Sequence, residues 1–205
     1  MKFISALFLI SISFLNYSNR KLFVFVGPSG VGKSTLVSAL SKAGIPLEFI
    51  ISHTTRPMRV GEQHAKDYFF LSKEEFAQKA HNDEFIAITT MYGNSYGISK
   101  ELIRTKLQAQ NNLIMCLNAE VAQKIQQFFS LQVSIIFIAP PSLHALKNRL
   151  ESRNTESPSA LQIRLAAVAA EMELQDNFEH KIINDDLGQA VIDLKEIILK
   201  HTHKQ

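Results

Sequence analysis

Apolar residues in this chain fall into short dense runs and into stripes that return every third or fourth position. Dense runs bounded by turn residues predict buried strands, and the stripes predict helices lying on them. The runs at 21–26, 45–51, 113–117, 133–138 and 181–184 read as strands. The stripes at 35–40, 99–109, 119–129, 160–177 and 187–200 read as helices, the last with Leu187, Val191, Leu194, Ile197 and Ile198 inward. Pro140 and Pro141 stop one strand, and Ser142 starts a further helix that ends near Arg153, followed by a polar hinge at 154–159. Alternation of this kind predicts a parallel sheet covered by helices. No internal repeat or low-complexity tract interrupts it.

The rhythm changes after the second strand. Residues 52–62 are polar and punctuated by Pro57, 67–71 read as a strand, and 72–80 as a short helix capped by Ser72 with Glu75 three residues on. Residues 85–90 read as another strand and 93–97 as a turn. This is a small, mostly β insertion. Strand side chains alternate, so Glu84 and Ala87 are expected on opposite sides of its sheet.

A length of 205 residues with 46% hydrophobic and 20% charged content describes one globular domain large enough to bury a core. The net charge of +3 is mild and interspersed, which argues against a nucleic-acid partner. The lone Cys116 excludes an internal disulfide framework and is expected to pack as a small apolar residue. Residues 1–20 read as a hydrophobic extension whose apolar run at 3–15 is short for a membrane span and lacks a small-x-small cleavage site. Stable membrane association is expected only if 3–15 act as an anchor, and the expected location is cytoplasmic.

One stretch carries explicit chemistry. Gly27-Pro28-Ser29-Gly30-Val31-Gly32-Lys33-Ser34 fills G-x-x-x-x-G-K-[ST] at each fixed position, between a strand and a helix that begins at Thr35. Glycines let backbone N–H groups turn inward around a polyphosphate, and the helix N-terminus adds partial positive charge. Lys33 is expected on the β- and γ-phosphates of ATP, and the Ser34 hydroxyl on Mg²⁺. Arg56 and Arg59, three apart in a proline-containing loop, are poor helix material but good anion clamps.

Taken with residues 52–62, 67–70 and 93–97, with Arg149-Leu150-Glu151-Ser152-Arg153 and with Asn184-Asp185-Asp186, the phosphate loop resembles the guanylate kinase family over about residues 21–200. The resemblance implies an α/β fold: a P-loop NTPase-type parallel sheet core, an acceptor-binding insertion at about 52–98 and a helical lid at about 142–170. It implies ATP-dependent phosphorylation of GMP. Residue by residue, it assigns Arg56, Arg59, Tyr68 and Tyr96 to the acceptor phosphate and Ser52 to the base. Arg149, Arg153 and Arg164 would join Lys33 in offsetting charge on the transferred group.

The chain also departs from that family. Ala87 stands where the family has an acidic residue that meets the guanine edge, Ile98 where it has Thr or Ser for the base, and Cys116 and Asn118 where it has two carboxylates near the acceptor and the metal. Glu120 is a candidate for a displaced negative charge. A base pocket rejects analogues only while its polar groups are present, so two other readings stay open. One is a kinase of another small phosphate ester, such as ribose 1,5-bisphosphate. The other is a catalytically inactive binding module of the same fold.

Overall fold

The computed structural model describes residues 21–91, 93–108, 112–129, 133–152 and 158–202. At its centre is β1 (Leu22–Val26), flanked by β7 (Asn112–Cys116) and β8 (Val133–Ala139). The edges are β2 (Leu47–Phe49) and β9 (His180–Ile183), and all five strands run parallel. Alternation along β1 divides the core between the two faces of this sheet. Leu22, Val24 and Val26 pack with Ile103 and Leu107 of α3 (Lys100–Gln108) and with Val121, Ala122 and Ile125 of α4 (Ala119–Phe129). Phe23 and Phe25 face the other way. They meet Leu36 and Leu40 of α1 (Lys33–Lys42), Leu146 and Leu150 of α5 (Leu143–Glu151), Val168 of α6 (Pro158–Glu173), and Ala190, Leu194 and Ile198 of α7 (Leu187–Thr202). Truncating a fully buried phenylalanine such as Phe25 is expected to cost about 3–5 kcal/mol.

A second, mixed sheet forms from β3 (His53–Thr54), β4 (Phe69–Phe70), β5 (Phe85–Met91) and β6 (Asn94–Ser99), in the order β4-β3-β6-β5. Its helix, α2 (Lys73–His81), carries the expected capping box. The Ser72 hydroxyl accepts from the Glu75 N–H while the Glu75 carboxylate accepts from the Ser72 N–H. The helix docks by stacking Phe76 on Phe85 at 4.8 Å. Ala87 and Ile98 of this sheet belong to the same buried cluster as Leu22 and Val24, so the two sheets share one core.

Some expectations need correcting. Residues 94–97 are not a turn but part of strand β6, which pairs antiparallel with β5. Gly93, with φ of +74°, does the turning. Gly97 serves a different purpose, because a Cβ there would sit 2.9 Å from the Phe85 ring. The second strand is shorter than the run at 45–51, since after Phe49 the chain crosses to the second sheet and pairs again at His53. Leu187 is exposed, because the buried stripe of α7 starts one turn later at Ala190. The helix read at 160–177 begins at Pro158, suited to a first turn whose N–H is unpaired anyway, and ends at Glu173 before a short 3-10 helix, Gln175–Asn177. The extension at 1–20 and most of the hinge at 154–159 lie outside the described residues.

Candidate functional site

The C-terminal ends of the parallel strands face the second sheet across a cleft of about 580 Å³. In open α/β sheets this edge is where ligands bind. The loop after β1 forms one wall, with Gly27, Ser29, Gly30, Gly32, Lys33, Ser34 and Thr35 lining the cleft; Pro28 and Val31 are not among the lining residues. Gly32 sits at the N-cap of α1 in the left-handed region, φ +99°, and offers no side-chain cap. α2 and α5 are instead capped by Ser72 and Ser142. A helix start without a side-chain cap leaves its N–H groups for an anion. The Lys33 ammonium donates to the carbonyls of Gly27 at 2.5 Å and Pro28 at 3.1 Å, which holds its charge at the mouth of the loop.

The loop is braced from the far edge of the sheet. Asn184, buried just past β9, donates from Nδ2 to the Val31 carbonyl at 2.7 Å. A Cβ on Gly32 would stand 2.5 Å from that same amide nitrogen, so glycine is required for both its backbone angle and its space. Arg149 donates to the Asn184 carbonyl at 2.9 Å and is not part of the cleft wall. Arg153 lies outside the described residues, and Arg164 is described only as a position on α6.

The opposite wall gathers Ser52, Arg56, Arg59, Tyr68 and Tyr96. Arg56 is 9% exposed, and a cation this buried needs partners. Its Nη2 donates to both Glu62 oxygens at 2.8 and 3.0 Å, and its Nη1 to the Pro57 carbonyl at 2.8 Å. The guanidinium also lies over the rings of Tyr68 at 5.3 Å and Phe70 at 5.6 Å. Burial alone would lower the Arg56 pKa, but the hydrogen bonds and charge of Glu62 outweigh it and raise the value. Burial likewise favours the protonated Glu62, yet the Arg56 and Arg59 donors hold it below the ordinary carboxylate value. Burial pushes the Tyr68 phenol up to about 12, with Tyr96 adding to the shift, so it stays a neutral hydrogen-bond donor at physiological pH. The loop is tied to β6 through Thr54 Oγ1 donating to the Ser95 carbonyl and the Ser95 N–H donating to Thr55 Oγ1, at 3.0 and 2.9 Å. That ladder sets Tyr96 6.1 Å from Tyr68, ring to ring.

Between the two walls the cleft is lined by Ala87, Ile98, Cys116 and Asn118. Burial pushes the Cys116 thiol up to about 12 despite the opposing charge of Lys33, so it packs as a neutral group. Asn118 accepts the Val121 N–H at 2.8 Å, capping the start of α4, and its Nδ2 faces Thr89 Oγ1 and Met91 Sδ at 3.4 and 3.3 Å. Glu84 precedes β5, so strand alternation does not govern it; it is not among the lining residues and pairs with Lys79 at 2.8 Å. Glu120 is not a displaced cleft charge: it is exposed on α4 and pairs with Lys124 at 2.6 Å.

Sequence reasoning assigned no role to Glu62, Asn184, Asp67 or Glu171. Glu62, Asp67 and Glu171 line the cleft, and Asn184 braces its floor. For Glu62 a signal existed, since a carboxylate shortly after two clamp arginines, across Gly61, is placed to turn back on them. For Asn184 the motif at 184–186 marked the residue but not its partner, because Val31 lies 153 residues away.

Comparison with known proteins agrees with this geometry. The family model described as guanylate kinase matches residues 19–201. A guanylate kinase of Polaromonas sp. (strain JS666) is 40% identical over 177 residues, 86% of this chain and 85% of the relative. One from Bacteroides thetaiotaomicron is 35% identical over 186 residues, covering 90% and 91%. The crystal structure of guanylate kinase from Anaplasma phagocytophilum superposes with a TM-score of 0.74 at 25% identity, covering 92% of this chain and 89% of that one.

Proposed function

The chain belongs to the guanylate kinase family, and from that premise we propose that it transfers the γ-phosphoryl group of ATP to GMP, giving GDP and ADP. One observation carries the reading: a single cleft sets an uncapped phosphate loop opposite a rigid arginine and tyrosine clamp. Phosphoryl transfer asks the protein mainly for alignment and for charge that offsets the transferred group. Lys33 and the loop N–H groups suit the donor phosphates. Arg56, Arg59, Tyr68 and Tyr96 suit the acceptor phosphate, and Ser52 lies where it can meet the base. Glu62 acts through Arg56, fixing its fork so that little side-chain freedom is lost when an anion arrives.

Residues 52–98 are assigned as the acceptor-binding unit and 142–170 as the lid. Arg149 is one hydrogen bond from the loop brace, and lid closure would carry it, with Arg153 and Arg164, toward the transferred group. A divalent ion fits the donor side. Mg²⁺ keeps several waters and leans on nucleotide phosphates, so a single protein ligand, the Ser34 hydroxyl in the first turn of α1, is enough. When bound, such an ion neutralises charge between the β- and γ-phosphates. No described helix is long and apolar enough to cross a membrane. An enzyme that consumes ATP and GMP belongs where both are found, which makes cytoplasm the proposed location.

The relatives do not favour the ribose bisphosphate or inactive-module alternatives. The test is ADP formation from ATP with GMP, AMP, ribose 1,5-bisphosphate or no acceptor. GMP should give the highest kcat/KM. Turnover of the sugar phosphate alone, or of no acceptor, would sink the reading.

A further inference from the structure

Outside the cleft, the start of β9 and the last turn of α7 bring Glu179, His180 and His201 together. One ligand atom from each lies within 4.8 Å of the other two. The tautomer of His201 follows from its partner: Nδ1 stands 2.8 Å from the Ile197 carbonyl, which can only accept, so Nδ1 holds the proton and Nε2 the lone pair. Metal-binding imidazoles are commonly oriented in this way by a carbonyl on the other ring nitrogen. His180 supplies an independent observation. Its Nε2 is buried without a hydrogen-bond partner, an arrangement a native structure rarely leaves unused. Glu179 Oε1 is 3.7 Å from that nitrogen, too far for a hydrogen bond. The separation is close to the roughly 3.3 Å between two ligand atoms of a tetrahedron with bonds of about 2.0–2.1 Å.

We propose that Glu179, His180 and His201 bind one divalent transition-metal ion of the zinc class. Two imidazoles and one carboxylate match that class better than Mg²⁺ or Ca²⁺, which take oxygen ligands. The Glu179 side chain is 82% exposed, which gives the ion a route in, and water completes the coordination. The ion joins an edge strand of the parallel sheet to the last turn of the final helix, and its consequence is stability rather than catalysis.

The experiment uses the full chain without nucleotide, titrated with Co²⁺ and then Zn²⁺. Co²⁺ should develop the intense visible bands of a four- or five-coordinate site, saturating at one equivalent, and Zn²⁺ should displace it and raise Tm. His201→Gln and Glu179→Gln should each weaken Zn²⁺ binding by at least about tenfold to a hundredfold, the loss seen when even an outer partner of a ligand is removed. GMP kinase activity with Mg²⁺ should stay unchanged in both variants. Absent Co²⁺ bands, or Zn²⁺ affinity kept in either variant, overturns the site. Glu179→Gln alters an exposed side chain, so the comparison survives even if His201→Gln folds poorly.

Discussion

The two ends of the cleft present hydrogen-bond donors by different means. At the donor end the chain uses backbone: glycines, an uncapped helix start and one lysine, braced by the Asn184 amide. At the acceptor end it uses long side chains whose freedom is removed by a buried carboxylate, two aromatic faces and a β-ladder. Backbone recognition is tied to a short motif of fixed spacing. Side-chain recognition draws Arg56, Tyr68 and Tyr96 from separate strands and loops, and it can be altered one residue at a time. The space between the ends shows the result, with Ala87, Ile98 and Cys116 presenting apolar or neutral groups to the middle of the cleft.

The largest effect that could break this contrast is at the donor end. Lys33→Ala should lower kcat by orders of magnitude while leaving the fold intact, because the ammonium is held by carbonyls of the loop itself, outside the buried core. Steady-state kinetics beside a melting curve would check it. Near-normal turnover would remove the loop from the mechanism.

At the acceptor end, Arg56→Ala should raise the KM for GMP and lower kcat without moving ATP affinity, and Tyr96→Phe should do the same more weakly. Arg56→Ala also strands Glu62, so a stability loss of about 1–3 kcal/mol should accompany it, and Tyr96→Phe separates the two effects. Equal loss of ATP affinity would mean that the two ends are not independent.

A smaller change would sharpen the contrast in the middle of the cleft. Wild-type discrimination of GMP over AMP should be poorer than a pocket rich in acceptors would give. Ala87→Glu should tighten GMP over AMP by up to about 3 kcal/mol, about a hundredfold, if the new carboxylate meets the guanine edge. Calorimetric Kd values for both nucleotides measure it. A wild type that already prefers GMP by several orders of magnitude would move that role to another cleft acid, Asp67 or Glu171.

The smallest effect concerns Glu62. Its folded pKa is depressed below the ordinary carboxylate value of about 4.5, so its contribution to stability is present above that pH and is lost as pH falls through the folded value. The wild-type Tm should therefore fall more steeply on acidification in that window than that of Glu62→Gln. Parallel slopes would mean the carboxylate is not coupled to folding.

Much of this was legible in the sequence. Strands buried on both faces are continuous apolar runs, and for that reason β1, β7 and β8 stand out; the phosphate loop stands out because its geometry permits few residue types. What was missed has physical causes. Gly97 mimics a turn residue, but its smallness serves a close approach to Phe85, and a one-dimensional pattern cannot separate the two uses of glycine. Leu187 obeys the helical period but lies before the covered face begins. The polar partners of Asn118 depend on how two sheets meet, which local spacing does not encode, whereas the Arg56–Glu62 pair is six residues apart in one loop and left a signal in the sequence.

The Asn184 brace also bears on synthesis. Val31 emerges from the ribosome early, and the amide that fixes its carbonyl follows 153 residues later, after every other strand of the parallel sheet. The Asn184 bond to the donor loop can form only once residue 184 has been made, so the loop of a shorter chain is expected to hold a nucleotide less tightly. Ribosome-stalled chains ending before and after residue 184, each followed by an unstructured spacer long enough to fill the exit tunnel, should differ in retention of a labelled nucleotide, and equal retention would show that the loop sets without its brace.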